Sequence, residues 1–337
     1  MHLGVALIAA MAASNADAAD SAPASAAYRW QLPRGFPEPL VPADNPMSAA
    51  KVALGRRLFF ETRLSPGATV SCASCHEPAR AFTDARAQAV GATGQATERS
   101  AMALVNVAYN SSYGWIDPKI TTLEAQMQQP LFNQHPVEMG LAGREAAVVG
   151  LLSADAGYVT AFAAAFPDEK NSASITNLIR AIACYERTLI SGNSSFDRYV
   201  FGGEHDSIGA SAKHGMELFY SARLGCANCH GGFNFTGTVV HRDQPMAAPA
   251  FAHNGLSDTP MRIPTLRNIA LTAPYMHNGR FATLDAVFDH YESVRANLQT
   301  DEKLPEFKLT PDERHDLRVF LESLTDSEFV RSRTAAD

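Results

Sequence analysis

The sequence predicts an all-α protein of two domains with long loops, related by internal duplication. Three observations carry that reading. Apolar residues recur at helical spacing, long alternating strand patterns are absent, and one short signature occurs twice within the 337 residues. The signature is Gly-x-x-Leu-Phe-aromatic, at Gly55 to Phe60 and again at Gly215 to Tyr220, and a Cys-x-x-Cys-His run follows each copy. At 46% hydrophobic residues the chain can bury a core, and its length suits two domains of ordinary size.

Residues 1–18 combine an apolar Leu/Val/Ile/Ala run too short to cross a bilayer with small residues, such as Ala16 and Ala18, suited to cleavage. They read as a signal peptide despite lacking a positively charged start, so a periplasmic protein with no membrane span after signal cleavage is expected. Residues 19–44 follow as a flexible N-terminus, opening on an Ala/Ser/Pro stretch. An N-terminal domain is expected over 45–190. In it Ser48 would cap a helix presenting Leu58 and Phe59, and Asp155 one burying Tyr158, Phe162 and Phe166. Ser174 would cap another, burying Leu178, Ile182 and Leu189 and stopped by Gly192. Residues 191–206, rich in Ser, Asn and Gly, read as a linker. In the C-terminal domain, 207–325, Ser211 is the candidate cap before Leu218 and Phe219. There Thr310-Pro311-Asp312-Glu313 has the capping-box form and opens a last helix with Leu317, Phe320, Leu321 and Leu324 on one face. Residues 326–337 are left as a tail.

The formal charge of −7 argues against nucleic acid or an anionic membrane as partner, since neither attracts an acidic surface. Of five cysteines, four stand in two identical spacings. The remaining one, Cys184, lies on an apolar helical face and reads as a buried thiol acting as a small hydrophobe.

The decisive runs are Cys72-Ala73-Ser74-Cys75-His76 and Cys226-Ala227-Asn228-Cys229-His230, of the form that attaches c-type haem. Two thiols three positions apart on a tightening turn can each form a thioether with a vinyl group, and the adjacent histidine then meets the iron. A zinc knuckle, a redox dithiol or a disulfide could use a single Cys-x-x-Cys, but a His directly after the second Cys, twice, disfavours them. Two covalently bound haem c groups are therefore expected, with His76 and His230 as proximal ligands.

These runs, together with Ala53 to Phe60, Pro136 to Gly140 and Pro264-Thr265-Leu266-Arg267-Asn268 through Tyr275-Met276-His277-Asn278-Gly279, resemble the bacterial di-haem cytochrome c peroxidase and MauG superfamily. The likeness spans nearly the whole mature chain and is nearest to MbnH-like di-haem enzymes. It implies two cytochrome c-like haem domains. In the peroxidase branch a distal His, in the loop after the first motif, caps the N-terminal haem at rest. Here no His occurs from Glu77 to Gln134, so the first haem is expected to be five-coordinate and open to peroxide without reductive activation. The family's distal ligand to the second haem lies fourteen residues beyond the motif histidine, and from His277 that position is Tyr291, where the peroxidase branch has Met. A phenolate favours higher iron oxidation states than a thioether does. Read without the family, Tyr291 shares a helical face with Leu284, Val287 and Phe288 and serves equally as a core aromatic, with His290 as the neighbouring rival ligand.

Further positions carry over singly. Trp115 matches the tryptophan between the haems, and Gln126 and Glu138 match the polar pair on the distal side of the peroxide haem. A carboxylate there can move a proton between the oxygens of bound peroxide. The segment Leu131 to His135 looks longer than usual, and its His135 reads as a surface histidine or, alternatively, a distal base. The superfamily also holds a calcium ion through an Asn side chain and two backbone carbonyls. Thr272 and Pro274 match the carbonyls, while Ser100 takes the Asn position, which implies a weaker site.

The function so implied is oxidation of the haem pair by hydrogen peroxide to a high-valent, bis-ferryl state shared through Trp115, followed by oxidation of a partner protein. In the MbnH-like branch that partner is a small secreted copper-binding protein whose tryptophan becomes kynurenine. The alternatives are a cytochrome c peroxidase drawing electrons from a small donor cytochrome, and an electron-transfer di-haem cytochrome with both irons six-coordinate.

Overall fold

The computed structural model of the chain describes residues 28–293 and 305–334. The expected signal peptide, residues 19–27 of the expected flexible N-terminus and residues 335–337 of the tail lie outside them. The described chain is mostly helical, and its one sheet is the short antiparallel pair β1 (Phe251–Ala252) and β2 (Met261–Arg262).

Helix α1 (Ala49–Phe59) starts where expected, the Ser48 hydroxyl accepting the Lys51 amide at 3.1 Å. After α2 (Glu145–Ser153), α3 (Ala156–Ala165) opens on Asp155, whose carboxylate accepts the amides of Gly157 and Tyr158. Helix α4 (Ile175–Arg187), capped by Ser174, lies across α1 so closely that a Cβ on Gly55 would sit 1.9 Å from the Ala181 carbonyl oxygen. Leu58, Phe59, Phe162 and Ile182 are fully buried between these helices. Each such side chain contributes about 1.5–3 kcal/mol through burial.

The second half contains a similarly close helix crossing. Helix α5 (Ala210–Tyr220) crosses α8 (Pro311–Glu322), and a Cβ on Gly215 would sit 2.0 Å from the Asp316 carbonyl oxygen. Between them stand α6 (Cys226–His230), which carries the second motif, and α7 (Leu284–Ser293). Their core gathers Phe219, Phe235, Phe288, Phe320 and Leu324, and Thr310 forms the expected capping box with Glu313.

The structure differs from several sequence expectations. Ser211 is not the cap of α5. Gly209 holds that position, and the Ser211 hydroxyl donates instead to the Asp316 carboxylate, tying α5 to α8. Helix α4 ends at Arg187 rather than running to Gly192, because the next amides leave the helical ladder: Ser191 donates to Asn106 at 2.8 Å and Gly192 to Asp326 at 3.0 Å. The stretch 191–206 is accordingly pinned, and it contains the helical turns Ser195–Asp197 and Arg198–Gly202. Residues 28–44 are packed where they approach the core. Phe36 is buried, with its ring edge-on to Tyr109, Phe201 and Phe233. The tail forms α9 (Ser327–Thr334), whose Phe329 crosses back to the first core and meets Phe82 at 6.0 Å.

Candidate di-haem active site

Two cavities hold the two motifs. The first, about 380 Å³, is lined by Cys72, Cys75 and His76 together with Gln126, Glu138 and Trp115. The second, about 240 Å³, is lined by Cys226, Cys229 and His230 together with Tyr291 and, again, Trp115. The cysteine pairs therefore do not converge on one ion, and among the described residues no group of three or more His, Cys, Asp or Glu side chains could hold a metal.

The two histidines are held by the same device. His76 Nδ1 donates to the Phe82 carbonyl at 3.0 Å, and His230 Nδ1 donates to the Phe235 carbonyl at 3.0 Å. Both phenylalanines are fully buried and left-handed, at φ 61° and 50°. A bulky residue at positive φ is uncommon and costs on the order of 1–3 kcal/mol, so the surrounding packing must hold it there. A proton committed at Nδ1 puts the lone pair on Nε2, the arrangement a metal-ligating imidazole needs. Burial also lowers the pKa of both rings, which keeps them neutral. Burial pushes the Cys72 thiol up to about 12 and Cys75 up to about 11, which opposes the thiolate form that zinc requires. The paired thiols, the oriented imidazoles and the cavities beside them fit haem c.

On the first cavity wall, burial raises the carboxyl of Glu138 above the usual carboxylate range. His135 stands exposed at the rim of the same cavity. Trp115 donates from Nε1 to the Ser100 carbonyl at 3.2 Å, and its ring lies 6.4 Å edge-on from His277. In the second cavity Tyr291 is brought to the wall by α7. Its neighbour His290 is committed elsewhere, with Nε2 donating to the Asn254 carbonyl at 2.7 Å. Ser100, Thr272 and Pro274 all border this second cavity. The Ser100 hydroxyl donates to the Met276 carbonyl at 3.1 Å and that of Thr272 to Ile269 at 3.2 Å.

Two lining residues escaped the sequence reading. Glu186 on α4 faces the first cavity, and burial pushes its carboxyl up to about 8. An acid beside Cys184 and Tyr185, within the buried stretch of a strongly amphipathic helix, was a legible signal for it. Arg262 on β2 borders both cavities and had no local signal at all.

The profile described as di-haem cytochrome c peroxidase matches residues 49–205. The chain is 35% identical over 323 residues to methylamine utilization protein MauG of Methylorubrum extorquens, covering 93% of this chain and 88% of that one. To cytochrome c551 peroxidase of Pseudomonas aeruginosa it is 31% identical over 294 residues, covering 83% and 80%. Among solved structures, a MauG-like protein associated with microbial copper homeostasis aligns with TM-score 0.85 at 36% identity, over 90% of this chain and 97% of that one. Fold and site together define an oxidoreductase of the di-haem peroxidase type. The chain belongs to the di-haem cytochrome c peroxidase and MauG family.

Proposed function

We propose that this chain is a periplasmic enzyme of two duplicated haem domains that reacts with hydrogen peroxide and oxidises a residue of a partner protein. Cys72 and Cys75, and likewise Cys226 and Cys229, would attach one haem c each, with His76 and His230 as proximal ligands. When bound, the haem pair supplies the iron that meets peroxide and stores the two oxidising equivalents. One observation carries the reading: Trp115 lines both cavities, so a single indole would stand between the two haems.

The remaining roles belong to side chains. Glu138 would move a proton between the two oxygens of peroxide, with Gln126, which lines the same cavity, as a hydrogen-bonding partner. Trp115 passes electrons between the cavities. Tyr291, on the wall of the second cavity, would offer its phenolic oxygen to the haem held there, a donor that favours stored oxidising power over electron donation. The partner is proposed to be a small secreted copper-binding protein oxidised at tryptophan, supported by the similarity to the copper-homeostasis protein. Calcium enters the proposal only as a weakly held ion, because Ser100 puts a hydroxyl, already donating to the Met276 carbonyl, where the family has an Asn amide.

A second reading is peroxide reduction at the expense of a small donor cytochrome. Met276 favours it by bordering the second cavity, although its sulfur already faces the Asn254 amide at 4.0 Å. One experiment separates the two: stoichiometric peroxide added to the as-isolated diferric protein, followed by visible, near-infrared and Mössbauer spectra. A long-lived two-electron-oxidised protein formed without reductant supports the first reading. Reaction only after one haem is reduced selects the second.

A further inference from the structure

Arg262 is 7% exposed, yet among the described residues no acidic side chain is paired with it. Its Nε is buried with no hydrogen-bond partner, and one terminal nitrogen faces only the Met102 sulfur, at 3.2 Å. A thioether is a poor acceptor for a guanidinium. Among the described residues Tyr113 is the one ionisable group that favours its charge, and burial pulls the guanidinium down to about 10. A buried, unpaired charge of this kind is costly unless an anion meets it.

The position says where that anion comes from. Arg262 borders both cavities, and its backbone amide donates to the Trp115 carbonyl at 2.9 Å, which sets it beside the indole they share. In the second cavity it is the only Arg or Lys among the described lining residues. In the first, the other is Arg99, which is already paired with Glu98 at 3.3 Å. Each haem carries two propionate carboxylates, and a guanidinium has five N–H donors in a fixed fork, enough for two carboxylates.

We infer that Arg262 is a cofactor-binding residue that serves as the shared counter-ion of the two haems, taking a propionate from each cavity. The inference rests on the reading that each cavity holds a haem. A fixed positive charge between the haems favours the reduced form of both, so its loss moves both midpoint potentials the same way.

The test uses the holoprotein. Haem content of the wild-type chain comes first, and fewer than two covalent haems overturns the underlying reading and the inference with it. With two haems present, Arg262→Gln is expected to lower both midpoint potentials in spectroelectrochemical titration and to shift the propionate-bending bands in resonance Raman spectra. Arg262→Lys keeps the charge but loses the fork, so its potentials should stay close to wild type while the propionate bands still move. This second variant decides the matter if Arg262→Gln does not assemble. Unmoved propionate bands, or a potential shift confined to one haem, overturn the inference and leave the two-haem reading standing.

Discussion

Asn106 and Asn268 adopt the same left-handed backbone, at φ 58° and 59°, and both close on Ser191. Asn106 brackets the Ser191 backbone, accepting its amide at 2.8 Å and donating to its carbonyl at 2.9 Å. Asn268 donates to the Ser191 hydroxyl at 2.9 Å and accepts the Asp326 amide at 2.8 Å. Each asparagine precedes a short 3-10 turn in its own half of the chain, Val107–Tyr109 and Ile269–Leu271. The two halves thus meet at Ser191 through two asparagines in the same backbone conformation.

Replacing Asn268 or Asn106 with Ala should therefore destabilise the protein. Each change strands buried backbone or hydroxyl groups at about 1–3 kcal/mol apiece and leaves Ala at an unfavourable positive φ. Glycine at either position relieves the backbone but not the hydrogen bonds, so it should recover part of the loss in denaturant titrations. Equal stability for the Ala variants and wild type would show that the junction is not held here.

The close helix crossings give a paired prediction. Gly55→Ala and Gly215→Ala each force a methyl group onto a backbone carbonyl of the crossing helix, so α1 and α4, or α5 and α8, must separate. Overpacking of this kind costs on the order of 1–3 kcal/mol. A lowered Tm is expected for each variant, and an unchanged Tm would show that the crossing relaxes freely.

Glu138 should govern the pH dependence of the peroxide reaction. Its carboxyl is raised by burial and works as a base in the ionised form, so the rate falls as pH drops through that raised value. Glu138→Gln should remove this limb and slow the peroxide step about 10²–10⁴-fold, as stopped-flow absorbance would record. The stability effect has the opposite sign. Above the raised pKa the folded state carries a penalised charge, so Gln should stabilise the protein at neutral pH, and the difference should vanish in acid.

Tyr291→Phe tests the second haem. Both haems should remain attached, since Cys226, Cys229 and His230 are untouched, while the long-lived oxidised state after peroxide is lost. An unchanged spectrum in the as-isolated and peroxide-treated variant would remove the ligand role from Tyr291.

Trp115→Phe tests the wall between the cavities. Peroxide should still be consumed at the first site, but oxidation of the second haem should slow, seen as separated phases in rapid-scan spectra. Unaltered single-phase kinetics would place the electron path elsewhere.

What the sequence determined alone was whatever is written within a few turns of chain. The two Cys-x-x-Cys-His runs, the caps at Ser48, Asp155, Ser174 and Thr310, and the apolar faces of α1, α4 and α8 are all local patterns. The tertiary structure decided where distant pieces meet. Ser100 bonds the carbonyl of Met276, 176 positions away, the tail returns Phe329 to the first core, and Arg262 lies at the boundary of both cavities. Helical periodicity encodes which face of an element turns inward but not which partner it finds. Ser191 and Arg262 sit outside any periodic stretch, so their roles arise from packing between halves and leave no mark on neighbouring residues.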